Sequence, residues 1–115
     1  EIFKTADIIS VHTPLDSSTE KMFTESVFSL MKQSSFLINV ARGGIVDQLA
    51  LKTALMENSI AGAAIDVYEI EPCNDLELLK LPNLYCTPHT GGSSEQSMLA
   101  MGRSAINHLK EYFKL

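Results

Sequence analysis

Residues 38–47 read INVARGGIVD, and the fold turns on how that run changes character halfway. Extended to the left it is SFLINV, residues 35–40, a continuous apolar stretch of strand length. Then come an arginine and two glycines, and Asp47 stands where a helix N-cap belongs. Beyond it Leu51, Ala54 and Leu55 share one helical face, and Asn58 closes the run. Strand, polar turn and helix follow one another within two dozen residues, with the arginine at the lip of the strand.

The same alternation recurs on both sides. DIISVH (7–12) is a short apolar run stopped by Thr13 and Pro14, and reads as a buried strand. TESVFSLMK (24–32) opens on a possible cap, Thr24, and sets Val27, Phe28 and Met31 on one helical face. SIAGAAIDV (59–67) and NLYCTPH (83–89) read as a third and a shorter fourth strand. In the last helix Ser93 and Gln96 have capping-box spacing, and Met98, Met101, Ala105, Leu109 and Tyr112 recur at three and four. The spacing predicts that these methionines pack in a core rather than bind anything. Apolar strands that do not alternate imply a parallel α/β sheet, Rossmann-like and three-layered, with helices on both faces.

Composition narrows the possible roles. At 115 residues the chain is one modest domain, 45% hydrophobic and 20% charged, an ordinary globular balance. Its net charge of -5 gives no basic footprint for nucleic acid. No apolar stretch approaches the ~18 residues of a membrane span, and the first residues do not read as a leader-like n-region and h-region. Cys73 and Cys86 lie far apart without a CxxC, so they read as reduced and partly buried, which points to a cytoplasmic setting. The run begins and ends abruptly enough to be read as a piece of a longer polypeptide.

In parallel sheets, ligands sit at the carboxyl ends of the strands. Four such ends are available: HTPL (12–15), NVARGG (39–44), DVYEIEP (66–72) and TPHTGG (87–92). Taken singly, each polar group there has a plain structural reading: Arg42 a surface charge, Asp66 a turn residue, Glu71 a solvated carboxylate, His89 a loop histidine. On one rim they complement one another. A histidine moves protons near neutral pH, a carboxylate beside it favours its charged form, and arginine offers a planar fork for a carboxylate. The glycine pairs 43–44 and 91–92 would let the backbone approach a flat ring. A metal site from His12, Asp66, Cys86 and His89 is the weaker alternative, for no two of them have close ligand spacing.

The segments ADIISVHTPLDSST, MKQSSFLINVARGGIVD, ALKTALMENSIAGAAIDVYEIEP and LPNLYCTPHTGG, in that order, resemble the D-isomer-specific 2-hydroxyacid dehydrogenases over the later part of their nucleotide-binding domain. The resemblance implies that residues 1–115 are the nicotinamide half of an NAD(P)-binding Rossmann-like domain, and that the parent protein interconverts a D-2-hydroxy acid and a 2-keto acid. It implies Arg42 as the substrate-carboxylate ligand, His89 as acid/base and Glu71 as its partner. Asp66 is implied as a hydrogen-bond partner of the nicotinamide carboxamide. His12, Thr13, Pro14, Thr19, Val40, Ala41, Arg42, His89, Gly91 and Gly92 are implied to lie along the cofactor. The cofactor implied is NAD, with NADP left open, and the full-length protein is expected to be a homodimer.

Two features of the family pattern are not in these residues: the G-x-G-x-x-G phosphate loop and the substrate domain. The 115 residues alone are therefore expected to bind cofactor weakly and to turn over nothing. A formate-specific relative is set aside because it pairs the histidine with glutamine, where this chain has Glu71. The rival of a different class is an NAD(H)-sensing, corepressor-like binding module that keeps the same three residues.

Overall fold

Each apolar run extends as a strand, and the four strands lie side by side in the order in which they occur. The computed structural model describes all 115 residues, Glu1–Leu115. One helical turn, α1 (Ile2–Thr5), leads into β1 (Ile8–Val11), and the single turn α2 (Glu25–Phe28) precedes β2 (Phe36–Asn39). A 3-10 turn at Gly43–Ile45 leads to α3 (Gln48–Met56) and β3 (Gly62–Ile65). The short α4 (Leu76–Leu79), β4 (Leu84–Cys86) and the long α5 (Glu95–Phe113) complete the chain. All pairings are parallel, in the order β1-β2-β3-β4.

The register decides what each strand buries. Val11, Asn39 and Ile65 are laterally aligned, as are Leu37 and Ala63, and all five are buried on the face that meets Phe23, Phe28, Leu51, Leu55, Ile60 and Leu78. The opposite face carries Ile8, Phe36 and Tyr85, all exposed. The parallel α/β class stands as expected; within these 115 residues the chain's own helices cover one face of the sheet.

α3 forms as its sequence dictates. The Asp47 carboxylate accepts from the Ala50 N–H at 3.1 Å, the predicted face of Leu51, Ala54 and Leu55 is buried, and Asn58 turns out of the helix at φ 53°. α2 is shorter than its pattern suggests. The Thr24 hydroxyl meets Ser26 Oγ instead of capping the helix, although Phe28 and Met31 are buried as expected. α4 is capped by Asp75, which accepts from the Glu77 and Leu78 N–H groups.

α5 corrects two expectations. Its cap is Ser94, whose hydroxyl accepts from the Ser97 N–H, so the capping-box reading of Ser93 with Gln96 is off by one residue. Nor do its methionines pack in a core. No residue of α5 is buried, and Met98, Met101, Leu109 and Tyr112 are all exposed. The helix stands away from the sheet, stretching the molecule to 57 × 31 × 22 Å with a radius of gyration of 17.1 Å, against about 13 Å for a compact chain of about 100 residues. Periodicity gave the apolar stripe correctly but not what the stripe packs against.

Candidate active site

At the carboxyl ends of β3 and β4 a hydrogen-bond network fixes one histidine. His89 Nδ1 lies 2.7 Å from Glu71 Oε2. An ionised carboxylate can only accept, so Nδ1 carries the proton and Nε2 is the free acceptor in the neutral ring. Glu71 is held in turn: its Oε1 accepts from the Tyr68 N–H at 3.1 Å. The His89 hydrogen bond, and after it that of Tyr68, hold the Glu71 carboxyl below its ordinary value. It is therefore the charged partner of the ring at neutral pH.

The backbone at His89 is in the left-handed region, φ 54°, where a residue with a Cβ stays only if its surroundings impose it. Asp66 imposes it. Buried at 6% exposure, its carboxylate accepts from the Thr87 hydroxyl, from the Thr90 N–H at 2.8 Å and from the Gly91 N–H at 2.7 Å. Those bonds, with Thr87 first, pull its pKa down to about 2. Gly91 is required by closeness, because a Cβ there would meet Asp66 Oδ2 at 2.9 Å. Gly92 follows at φ 89° with open space around it.

Arg42 stands one strand over, beyond β2. Its guanidinium donates to the Ala41 carbonyl of its own loop at 2.7 Å and enters no ion pair. Asn39 braces that loop: its amide donates to the Arg42 carbonyl, and its side-chain oxygen accepts from the Ala41 N–H. Gly43 is buried with its backbone against Tyr68, so closely that a Cβ would meet the Tyr68 carbonyl carbon and oxygen at 1.9 Å. A Cβ at Gly44 would meet Leu15 at 3.0 Å. The first glycine pair thus serves the chain's own packing, which corrects its assignment to a ligand ring.

The implied cofactor residues divide into groups. His12, Thr13, Pro14, Val40, Ala41 and Arg42 line one cleft, with Leu15, of about 780 Å³. Leu15 and Val40 line it and yet stay exposed, which gives a flat apolar ring a wall to lie on, beside a free cation for a polar end. His12 Nε2 is 2.7 Å from Ser10 Oγ. Thr19 lies outside the cleft's lining; its hydroxyl donates to the Pro14 carbonyl and accepts from the Asp16 N–H, clamping the loop that carries residues 12–14. His89, Glu71, Tyr68 and Thr87 line a second cavity of about 430 Å³. The residues present fit a nicotinamide and a small acid. Asn39, Tyr68 and Thr87 join the site without having been singled out in sequence. Of the three only Asn39 carried a signal, as a polar residue inside an apolar run.

Comparison with known proteins follows the same lines. The sequence model described as the D-isomer specific 2-hydroxyacid dehydrogenase NAD binding domain matches residues 1–91. A D-3-phosphoglycerate dehydrogenase of Methanocaldococcus jannaschii is 40% identical over 114 residues, 99% of this chain and 22% of that protein. The crystal structure of an NADPH-dependent glyoxylate/hydroxypyruvate reductase from Sinorhizobium meliloti, in complex with NADP and malonate, superposes with a TM-score of 0.94 at 38% identity, covering 97% of this chain and 35% of the other. A D-lactate dehydrogenase from Aquifex aeolicus complexed with NAD and lactic acid gives 0.88 at 30% identity, over 98% and 39%. The chain therefore spans between about a fifth and two-fifths of the length of these relatives.

Proposed function

The chain belongs to the D-isomer specific 2-hydroxyacid dehydrogenases, through their NAD-binding domain, and from that premise we propose that the protein carrying it interconverts a D-2-hydroxy acid and the corresponding 2-keto acid. The observation that carries this reading is the His89–Glu71 pair at 2.7 Å, on the same sheet rim as an arginine without an ion-pair partner.

The roles divide by chemistry. With Nδ1 donating to Glu71, His89 keeps Nε2 free to take the proton of the substrate hydroxyl. In reduction the imidazolium returns that proton to the keto oxygen. Glu71 fixes the tautomer and stabilises the charged ring. Arg42 holds the substrate carboxylate in a two-bond fork and polarises the oxygen at C2. Asp66 and the backbone from Thr90 to Gly92 would meet the amide end of the cofactor, and the cleft along His12–Pro14 and Val40–Arg42 would hold the remainder. The nicotinamide, when bound, supplies the hydride chemistry. The 115 residues by themselves are not expected to turn over.

The test uses the full-length protein, NADH and NADPH, and a panel of 2-keto acids: glyoxylate, hydroxypyruvate, phosphohydroxypyruvate and pyruvate. One acid should be reduced, with kcat falling by about 10²–10⁴ in His89→Ala. In Arg42→Lys the KM should rise steeply, because a point charge cannot replace the fork. Tight NADH binding with no turnover of any acid would instead favour an NAD(H)-sensing module.

A further inference from the structure

Tyr68, three residues past the end of β3, touches the support of all three groups named above. Its N–H donates to Glu71 Oε1 at 3.1 Å. Its phenol donates to the Thr87 carbonyl at 2.9 Å, two residues before His89. Its own carbonyl is the surface against which Gly43 packs, next to Arg42. We propose that Tyr68 is a positioning residue of this site, whose phenol hydrogen bond holds the loop after β4 at the height where His89 Nδ1 meets Glu71.

The loop's other anchors show why the phenol matters. Thr87 is tied at its N–H to the Ile65 carbonyl at 3.0 Å, and at its hydroxyl to Asp66. The next residue is Pro88, which has no N–H. The carbonyl of Thr87 is therefore the only hydrogen-bonding group on the peptide between Thr87 and Pro88, and Tyr68 is what holds it. Asp66 grips the loop again only at Thr90 and Gly91, beyond the histidine. Between those two grips His89 adopts its left-handed backbone, which a residue with a Cβ keeps only where its surroundings hold it there. Releasing the Thr87 carbonyl frees the upstream side of that constraint. A phenol is well suited to hold it. Tyr68 is 8% exposed, and burial above all pushes its pKa up to about 12, so it remains a donor throughout the pH range in which a histidine works. The backbone contacts of Tyr68 survive any substitution of its side chain, so its hydroxyl can be tested alone.

This inference rests on the dehydrogenase reading for its kinetic consequence but not for its geometry, and the experiment separates the two. Tyr68→Phe removes only the hydroxyl; Tyr85→Phe, at an exposed tyrosine of β4, is the control. In the full-length protein, NMR should find a low-field His89 Nδ1 proton protected by Glu71. That signal is expected to broaden or vanish in Tyr68→Phe and to persist in Tyr85→Phe. In the full-length protein, Tyr68→Phe is expected to lower kcat by about tenfold, a misplacement effect, while KM for the keto acid stays within about twofold, since Arg42 is untouched. A Tyr68→Phe protein that keeps both the proton signal and its kcat overturns the proposal. So does one whose activity falls only in proportion to the fraction still folded. If the wild type reduces no keto acid, the dehydrogenase reading fails, yet the NMR arm still decides whether the phenol places the histidine.

Discussion

A methyl group at position 43 would fall on the backbone of Tyr68, 1.9 Å from its carbonyl carbon and oxygen. Backbone cannot yield as a flexible side chain can, so Gly43→Ala should cost more than about 3 kcal/mol, read as a lowered urea midpoint. Gly92→Ala should cost only about 1 kcal/mol, because its φ of 89° strains an alanine but nothing stands within 4 Å. Equal losses at the two positions would contradict this account. The contrast also marks what was legible at this scale. ARGG and HTGG look alike in sequence, and both announce close approach. Whether the visitor is a ligand or the chain's own backbone depends on a neighbouring strand end that no local pattern identifies. Arg42, Glu71 and His89 stood out because their chemistry is unusual for a strand rim. Tyr68 did not, because an aromatic residue after an apolar strand reads as core until its hydroxyl is seen to have a partner.

Secondary elements were legible where one local device specified each of them. α3 has a cap, a face and a terminating asparagine in its own sequence, and all three formed. α4 has no such face. It exists because Asp75 caps it while pairing with Lys52 of α3, whose ammonium lies 3.0 Å from Asp75 Oδ1 and 2.7 Å from Glu77 Oε2. The Lys52 side chain is only 14% exposed, so the link is less screened than an ordinary surface pair. Asp75→Ala should therefore lose both cap and link, read as a lowered urea midpoint. Asp75→Asn keeps the cap and should lose distinctly less. Fraying of α4 would open the cavity behind His89, which Leu79 and Cys73 help to line. Faster reaction of Cys73 with a thiol reagent in Asp75→Ala than in Asp75→Asn would report it. Identical stability for the two variants would mean that the cap contributes nothing.

Across the whole molecule, charged groups set the window in which the fold is most stable, and the sign follows from the direction of each shift. The carboxyls of Asp47, Asp66, Asp75 and Glu71 are all held below their ordinary values by hydrogen bonds. Their contribution is fully present above the unfolded values near 4 and is lost as pH falls through the folded ones. Lys21 and Lys52 are shifted upward by Asp47 and by Glu77 with Asp75, so their contribution persists at lower pH and is lost only above about 10.5. Stability should thus be flat between about pH 5 and pH 10 as far as these groups go, and should fall on the acid side. Asp66, lowered from 3.8 to about 2, accounts for about 2 kcal/mol of that fall, a noticeable share of the roughly 5–15 kcal/mol typical of a domain. Urea unfolding at pH 7 and at pH 2 should show the loss in the wild type, and Asp66→Asn should lose about 2 kcal/mol less over the same interval. An acid loss unchanged in Asp66→Asn would place the titrating groups elsewhere.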